Sequence, residues 1–146
     1  MIRIGIVGAG GIAKSHAAAI ADNPDCAIAF VADIDKDRAE KMAAEYNALA
    51  FTDYKDFDCE GIDAVILNLP HYLHCEATVF FLEKGVHVLC EKPMANTTDE
   101  CDRMIAAAKK SERSECTRVY SGCFSANSRK RVRLRTVGPP PWLPTP

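Results

Sequence analysis

Along its first 110 residues the chain alternates two spacings of apolar positions. Short apolar runs of strand length occur at 2–7, 27–33, 49–52, 64–69 and 86–90, and several are apolar on both faces. Two-sided apolarity over so few residues is the pattern of parallel strands covered above and below. Between the runs, apolar residues recur three and four apart: Ala39, Met42, Ala43 and Tyr46; Cys75, Thr78, Val79 and Leu82; Cys101, Met104, Ile105 and Ala108. Each stripe predicts an amphipathic helix laid against the strands, so the repeated unit is β-α and the fold class is α/β with a doubly wound parallel sheet.

The punctuation agrees with the periodicity. Pro24 follows the first helix, Gly85 stands where a left-handed C-terminal cap is wanted, and 97–100 (Thr-Thr-Asp-Glu) reads as a capping box that opens the last helix. Beyond Ser111 these signals fade. Residues 118–124 offer a weak sixth strand, 129–135 alternate basic residues with little to bury, and 139–146 hold five of the eight prolines.

Charge sharpens that division. Residues 1–110 carry 11 Lys and Arg against 18 Asp and Glu, whereas residues 111–146 carry 7 against 2. The expected organisation is therefore one α/β domain over 1–117 and a basic, proline-rich tail over 118–146, disordered or read out of frame. A chain of 146 residues has room for one such domain and none for a full second one. No run approaches the ~20 apolar residues of a membrane span, and the N-terminus lacks a secretory pattern, so the expected compartment is the cytoplasm. Seven cysteines without a C-x-x-C pair read as free thiols, mostly small core residues, and no metal site is expected.

The chemistry begins immediately after the first strand. Gly8-Ala9-Gly10-Gly11-Ile12-Ala13 matches G-x-G-x-x-A and runs into an alanine-rich helix. Gly8 permits a tight turn, Gly10 leaves room for a pyrophosphate, and Ala13 lets helix and strand approach. The N–H groups from Gly11 and Ile12 onward would face the phosphates. Asp33, twenty residues past Ala13, closes the second strand where a carboxylate can accept both ribose hydroxyls of an adenosine. Its neighbours Ile34, Asp35 and Lys36 include no arginine to hold a 2′-phosphate, which favours NAD over NADP, with Lys36 leaving the choice open. Asp35 is expected to cap the second helix.

In an open parallel sheet, ligands sit outside the carboxyl ends of the strands. The fourth strand ends in Asn68-Leu69-Pro70-His71-Tyr72-Leu73-His74 and the fifth in Cys90-Glu91-Lys92-Pro93. The succession G-x-G-x-x-A, P-H-x-x-H and G-V-H-V-L-C-E-K-P over residues 2–110 resembles the glucose-fructose oxidoreductase / inositol dehydrogenase family, often called Gfo/Idh/MocA. That resemblance implies an NAD(P)-dependent oxidoreductase moving hydride between a nicotinamide and a sugar, inositol or similar polyol. It places Lys92 beside nicotinamide and substrate, with a commonly cis bond before Pro93. It also sets the segment from Pro70 to His74, His71 included, along the nicotinamide ribose, adds Asn68 and Pro93 as cofactor contacts, and makes Lys92 and His74 the catalytic candidates.

Alcohol chemistry supports the lysine, because a desolvated ammonium can hydrogen-bond the substrate oxygen and relay its proton. Glu91 reads equally as a holder of the lysine, a ribose contact or a helix-start carboxylate. His16 and His87 are assigned to packing or surface. Members of the family continue into a large α+β substrate domain, whose D-x-x-x-H pair has no counterpart here, so the chain reads as truncated. Its alternatives are a dinucleotide-binding module without turnover and, on the basic residues 129–135, a less favoured nucleic-acid contact. A sheet without its sixth strand would leave an open edge and invite self-association.

Overall fold

Each apolar run of the first ninety residues becomes a strand of one sheet in the computed structural model, which describes residues 1–111 and 115–117. The chain order is β1 (Ile2–Val7), α1 (Gly11–Ala21), β2 (Cys26–Ala32), α2 (Lys36–Glu45), β3 (Leu49–Phe51), a 3-10 turn (Tyr54–Asp56), β4 (Ala64–Leu67), a second 3-10 turn (His71–Leu73), α3 (His74–Glu83), β5 (His87–Cys90), α4 (Thr98–Ser111) and β6 (Glu115–Thr117). Sheet order is β3-β2-β1-β4-β5-β6 with every pair parallel. The winding reverses between β1 and β4, which opens a crevice at the carboxyl ends of those two strands.

Strand residues alternate between two cores, which is why the runs are apolar on both faces. Val7, Phe30, Ala32, Val65, Leu67 and Val88 face one layer with Phe81 and Leu82 of α3 and Met104 of α4. Ile6, Ile28, Val31 and Ile66 face the other, with Ala13, Ala17 and Ile20 of α1 and Met42 and Ala43 of α2. Gly5 is required by the first layer: a Cβ there would lie 2.1 Å from the Phe30 ring, which stacks on Phe57 with centroids 4.4 Å apart. The β1–β2 register shifts at Ile4/Gly5, so that Phe30 comes opposite the glycine.

Local signals act as read. Asp35 caps α2 by accepting the Arg38 N–H at 3.2 Å, and Gly85 takes a φ of 74° after α3. In the capping box, Thr97 Oγ1 accepts the Glu100 N–H while Glu100 Oε2 accepts the N–H groups of Thr97 and Asn96. Cys59, Cys75 and Cys90 are buried, and burial pushes the Cys59 thiol up from its ordinary value.

Two expectations are corrected. Ile105 is 41% exposed, and α4 instead turns Met104, Ala107 and Ala108 to the core. A sixth strand forms at Glu115–Thr117, ahead of 118–124, which lies outside the described residues; it pairs Val88, Leu89 and Cys90, so β5 does not end the sheet. Three residues are too few to show strand periodicity, and pairing with β5 is what selects them. The tail over 118–146 and the basic 129–135 segment lie outside the described residues as well. No helix among the described residues is long and apolar enough to cross a membrane.

Candidate functional site

The crevice is built from backbone first. Gly8 has a φ of 91°, and a Cβ on it would fall 2.6 Å from the Asn68 carbonyl oxygen, so β1 and β4 can splay only around a glycine. A Cβ on Gly10 or Gly11, by contrast, would meet no atom of the chain within 4 Å. Nothing in the protein demands glycine there; the space in front of α1 is what a bare backbone keeps open. Gly10 is the N-cap of α1 and brings no side-chain cap, and the first turn carries no acid. The N–H groups at this helix start, around Gly11, Ile12 and the buried Ala13, and the positive dipole end thus face open space.

Asp33 anchors the turn. Its Oδ2 accepts the Ala9 N–H at 2.7 Å and its Oδ1 the Asp35 N–H at 2.9 Å. Its third partner corrects the sequence reading: Arg38, from the first turn of α2, donates from Nη2 to Asp33 Oδ1 at 3.0 Å and from Nε to Asp35 Oδ2 at 3.2 Å. Sequence reasoning looked only three residues past Asp33. Arg38 follows the Asp35 cap by three positions, one helical turn, and that spacing was the available signal. The arginine side chain remains 53% exposed beside the crevice, next to the exposed Ile34.

Across the crevice, Asn68 stands at the end of β4 with both amide atoms buried and without a hydrogen-bond partner among the described residues. A buried amide left unpaired costs about 1–3 kcal/mol per group, which singles out Asn68, next to Gly8, as a polar group in need of a partner. The residues present therefore fit a dinucleotide: a bare helix start for the phosphates, an acid and a base at the second strand, and an open amide opposite.

The β4 and β5 ends hold the remaining candidates in two clusters. His74 is fully buried, with Nδ1 2.8 Å from the Pro93 carbonyl oxygen and Nε2 2.8 Å from that of Leu69. Both ring nitrogens face protein carbonyls, so the expected direct contact with substrate gives way to a clasp between the two loops. Pro70 is the N-cap of the 3-10 turn, and His71, within it, is exposed with its ring edge-on to His74. The Lys92–Pro93 bond is cis. Lys92 is exposed, so the desolvation expected for its ammonium is not supplied by the described residues.

Glu91 is buried, and its Oε1 lies 2.9 Å from His16 Nε2 while Oε2 accepts the Lys92 N–H at 3.2 Å. His16 thus has a specific partner rather than simple packing or exposure. Its position on the buried stripe Ala13, His16, Ala17, Ile20 was the clue, since an ionisable side chain on a core face is nearly always partnered.

Fold and site together define a dinucleotide-binding Rossmann domain. Residues 2–118 match the family described as oxidoreductase family, NAD-binding Rossmann fold, and the chain belongs to it: the Gfo/Idh/MocA family. Among its relatives, it is 41% identical over 113 residues to a scyllo-inositol 2-dehydrogenase (NADP(+)) of Bacillus subtilis, with 75% of this chain and 34% of the relative covered. It is 34% identical over 110 residues to a glucose-6-phosphate 3-dehydrogenase of the same organism, covering 75% and 31%. Its fold superposes on the WlbA dehydrogenase of Bordetella pertussis, solved with NADH and UDP-GlcNAcA, at a TM-score of 0.76 and 30% identity over 80% of this chain and 36% of that one. The chain spans about a third of the length of the relatives it matches.

Proposed function

We propose that the chain is the cofactor-binding part of an NAD(P)-dependent dehydrogenase acting on an inositol, sugar or similar polyol. The observation that carries this is the open space around Gly10 and Gly11 at the start of α1, with the unpartnered Asn68 amide at the end of the neighbouring β4. The cofactor, when bound, supplies the hydride acceptor or donor. The N–H groups of Gly11, Ile12 and Ala13 hold its pyrophosphate, and Asn68 takes a polar edge of the ligand. Lys92 donates a hydrogen bond to the substrate oxygen and accepts or returns its proton. His74 is a positioning residue that ties Leu69 to Pro93 and so sets the loop carrying Lys92; His71, Pro70 and Pro93 border the same region. The similarity to inositol and sugar-phosphate dehydrogenases supports the substrate class.

Preference for NAD alone is not what the crevice favours. Arg38 offsets the charge of Asp33 and keeps half its surface free where an adenosine 2′-phosphate would lie, and Lys36 stands exposed one residue beyond Asp35. We read the site as admitting NADP as well as NAD, in line with the NADP(+) enzyme among the relatives. Calorimetric titration with NADH and NADPH tests both levels. Arg38→Ala should weaken NADPH about tenfold and NADH about twofold or less, as loss of one charge-assisted contact predicts. Equal losses for the two would remove Arg38 from 2′-phosphate recognition, and no binding of either by the parent chain would remove the function. A second reading, a dinucleotide-binding unit without turnover, draws on the exposure of Lys92. It predicts binding with no polyol-dependent reduction of NAD or NADP.

A further inference from the structure

The buried His16–Glu91 pair is unused by the reading above. His16 projects from α1 and is 4% exposed; Glu91 ends β5 and is 7% exposed; their contact joins positions 75 residues apart in sequence. Glu91 divides its carboxylate between two elements, taking His16 through Oε1 and the backbone N–H of Lys92 through Oε2. A buried ion pair or charge-assisted contact is seldom worth more to stability than an apolar pair of the same volume. What this one provides instead is direction. It fixes a carboxylate against the main chain of Lys92, a residue exposed just past the end of β5.

We infer that His16 is a positioning residue for Lys92, acting through Glu91: by engaging the carboxylate it prevents Glu91 from capturing the neighbouring Lys92 ammonium, and so keeps that ammonium directed to the site. A buried carboxylate deprived of its donor seeks the nearest cation, and Lys92 is the adjacent residue. With His16 in place, one oxygen is committed to the helix and the other to the Lys92 main chain, and the lysine side chain is left free. The same contact joins the helix whose start faces the phosphates to the loop that carries the lysine. Calling Lys92 the reacting group rests on the proposed function, whereas the arrangement of the three residues does not.

The test reads the Lys92 amine directly. The folded chain is acylated with trace acetic anhydride, and labelling of Lys92 is measured by mass spectrometry against Lys14, Lys36 and Lys41, which are exposed elsewhere. His16→Met keeps the volume and removes the donor; it should lower Lys92 labelling about tenfold, because a captured ammonium gives up its proton less readily. His16→Gln, which retains a donor, should restore labelling to within about twofold. The double variant H16M/E91Q should also restore it, because the amide cannot pair with the ammonium. His16→Leu repeats the question should His16→Met not fold. Unchanged Lys92 labelling in His16→Met, a slow rate persisting in the double variant, or failure of both apolar variants to fold would each overturn the inference. Titrating the same samples with NADPH separates the two levels: absent binding in the parent chain sinks the proposed function and leaves the labelling result standing.

Discussion

The two sides of the crevice solve different problems. At the β1–α1–β2 side the protein satisfies its own polar groups and leaves empty space: Asp33 is held by Ala9, Asp35 and Arg38, while Gly10 and Gly11 face nothing. At the β4–β5 side it fills the space with buried clamps, His74 on Leu69 and Pro93 and Glu91 on His16, and presents His71, Tyr72 and Lys92 above them to solvent. The first side is a preformed backbone cradle, in which little needs ordering when a ligand arrives. The second is a platform whose buried parts hold shape and whose exposed parts remain available for chemistry. Substitutions should therefore separate binding from stability according to side.

The largest effect should come from the cradle. A Cβ on Gly10 meets no non-neighbouring atom within 4 Å, so Gly10→Val should cost the fold only the loss of a favourable N-cap residue, a few degrees in melting temperature, while dinucleotide affinity falls about a hundredfold. A much larger fall in melting temperature would show that the glycine serves the fold and would erase the contrast. On the clamp side His74→Phe should do the reverse. Denaturant unfolding should report a loss of about 2–3 kcal/mol, since the contacts of both ring nitrogens with the Leu69 and Pro93 carbonyls are removed and the two loops lose their tie.

Asn68 lies on the boundary and should move both quantities in opposite directions. Replacing it by leucine removes a buried, unpaired amide, so unfolding free energy should rise by about 1 kcal/mol while dinucleotide affinity falls about tenfold. A loss of stability instead would mean that the amide is already satisfied within the protein. The smallest effect belongs to Lys92→Met, which should change unfolding free energy by less than about 0.5 kcal/mol, as expected for an exposed side chain without a structural partner. A larger loss would move Lys92 from the exposed group to the clamps.

Much of this architecture was readable in the order of residues because its causes are local. Apolar runs of strand length, stripes at helical spacing, the Asp35 cap, the Thr97–Glu100 box and the glycine turn each depend on residues within one or two turns of chain. Hydrogen-bonding chemistry over that distance leaves little choice of geometry. Ile105 was misjudged because the stripe through Cys101 and Met104 is compatible with two neighbouring helix rotations, and only the packing of α4 on α3 selects the one that buries Ala107 and Ala108. The sixth strand was expected at 118–124 rather than at Glu115–Thr117 because a three-residue strand has no periodicity of its own.

The sequence by itself determined the repeated β-α units, the position of the cradle, the acid at the end of β2 and the family motif at the end of β5. Tertiary structure alone decided how those parts speak to one another. The shift of register that sets Phe30 over Gly5, the reach of His74 to Pro93 and the meeting of His16 with Glu91 all depend on which strands lie side by side. Side-chain hydrogen bonds act over about 3 Å, whereas the sheet decides which residues, distant along the chain, come within that reach.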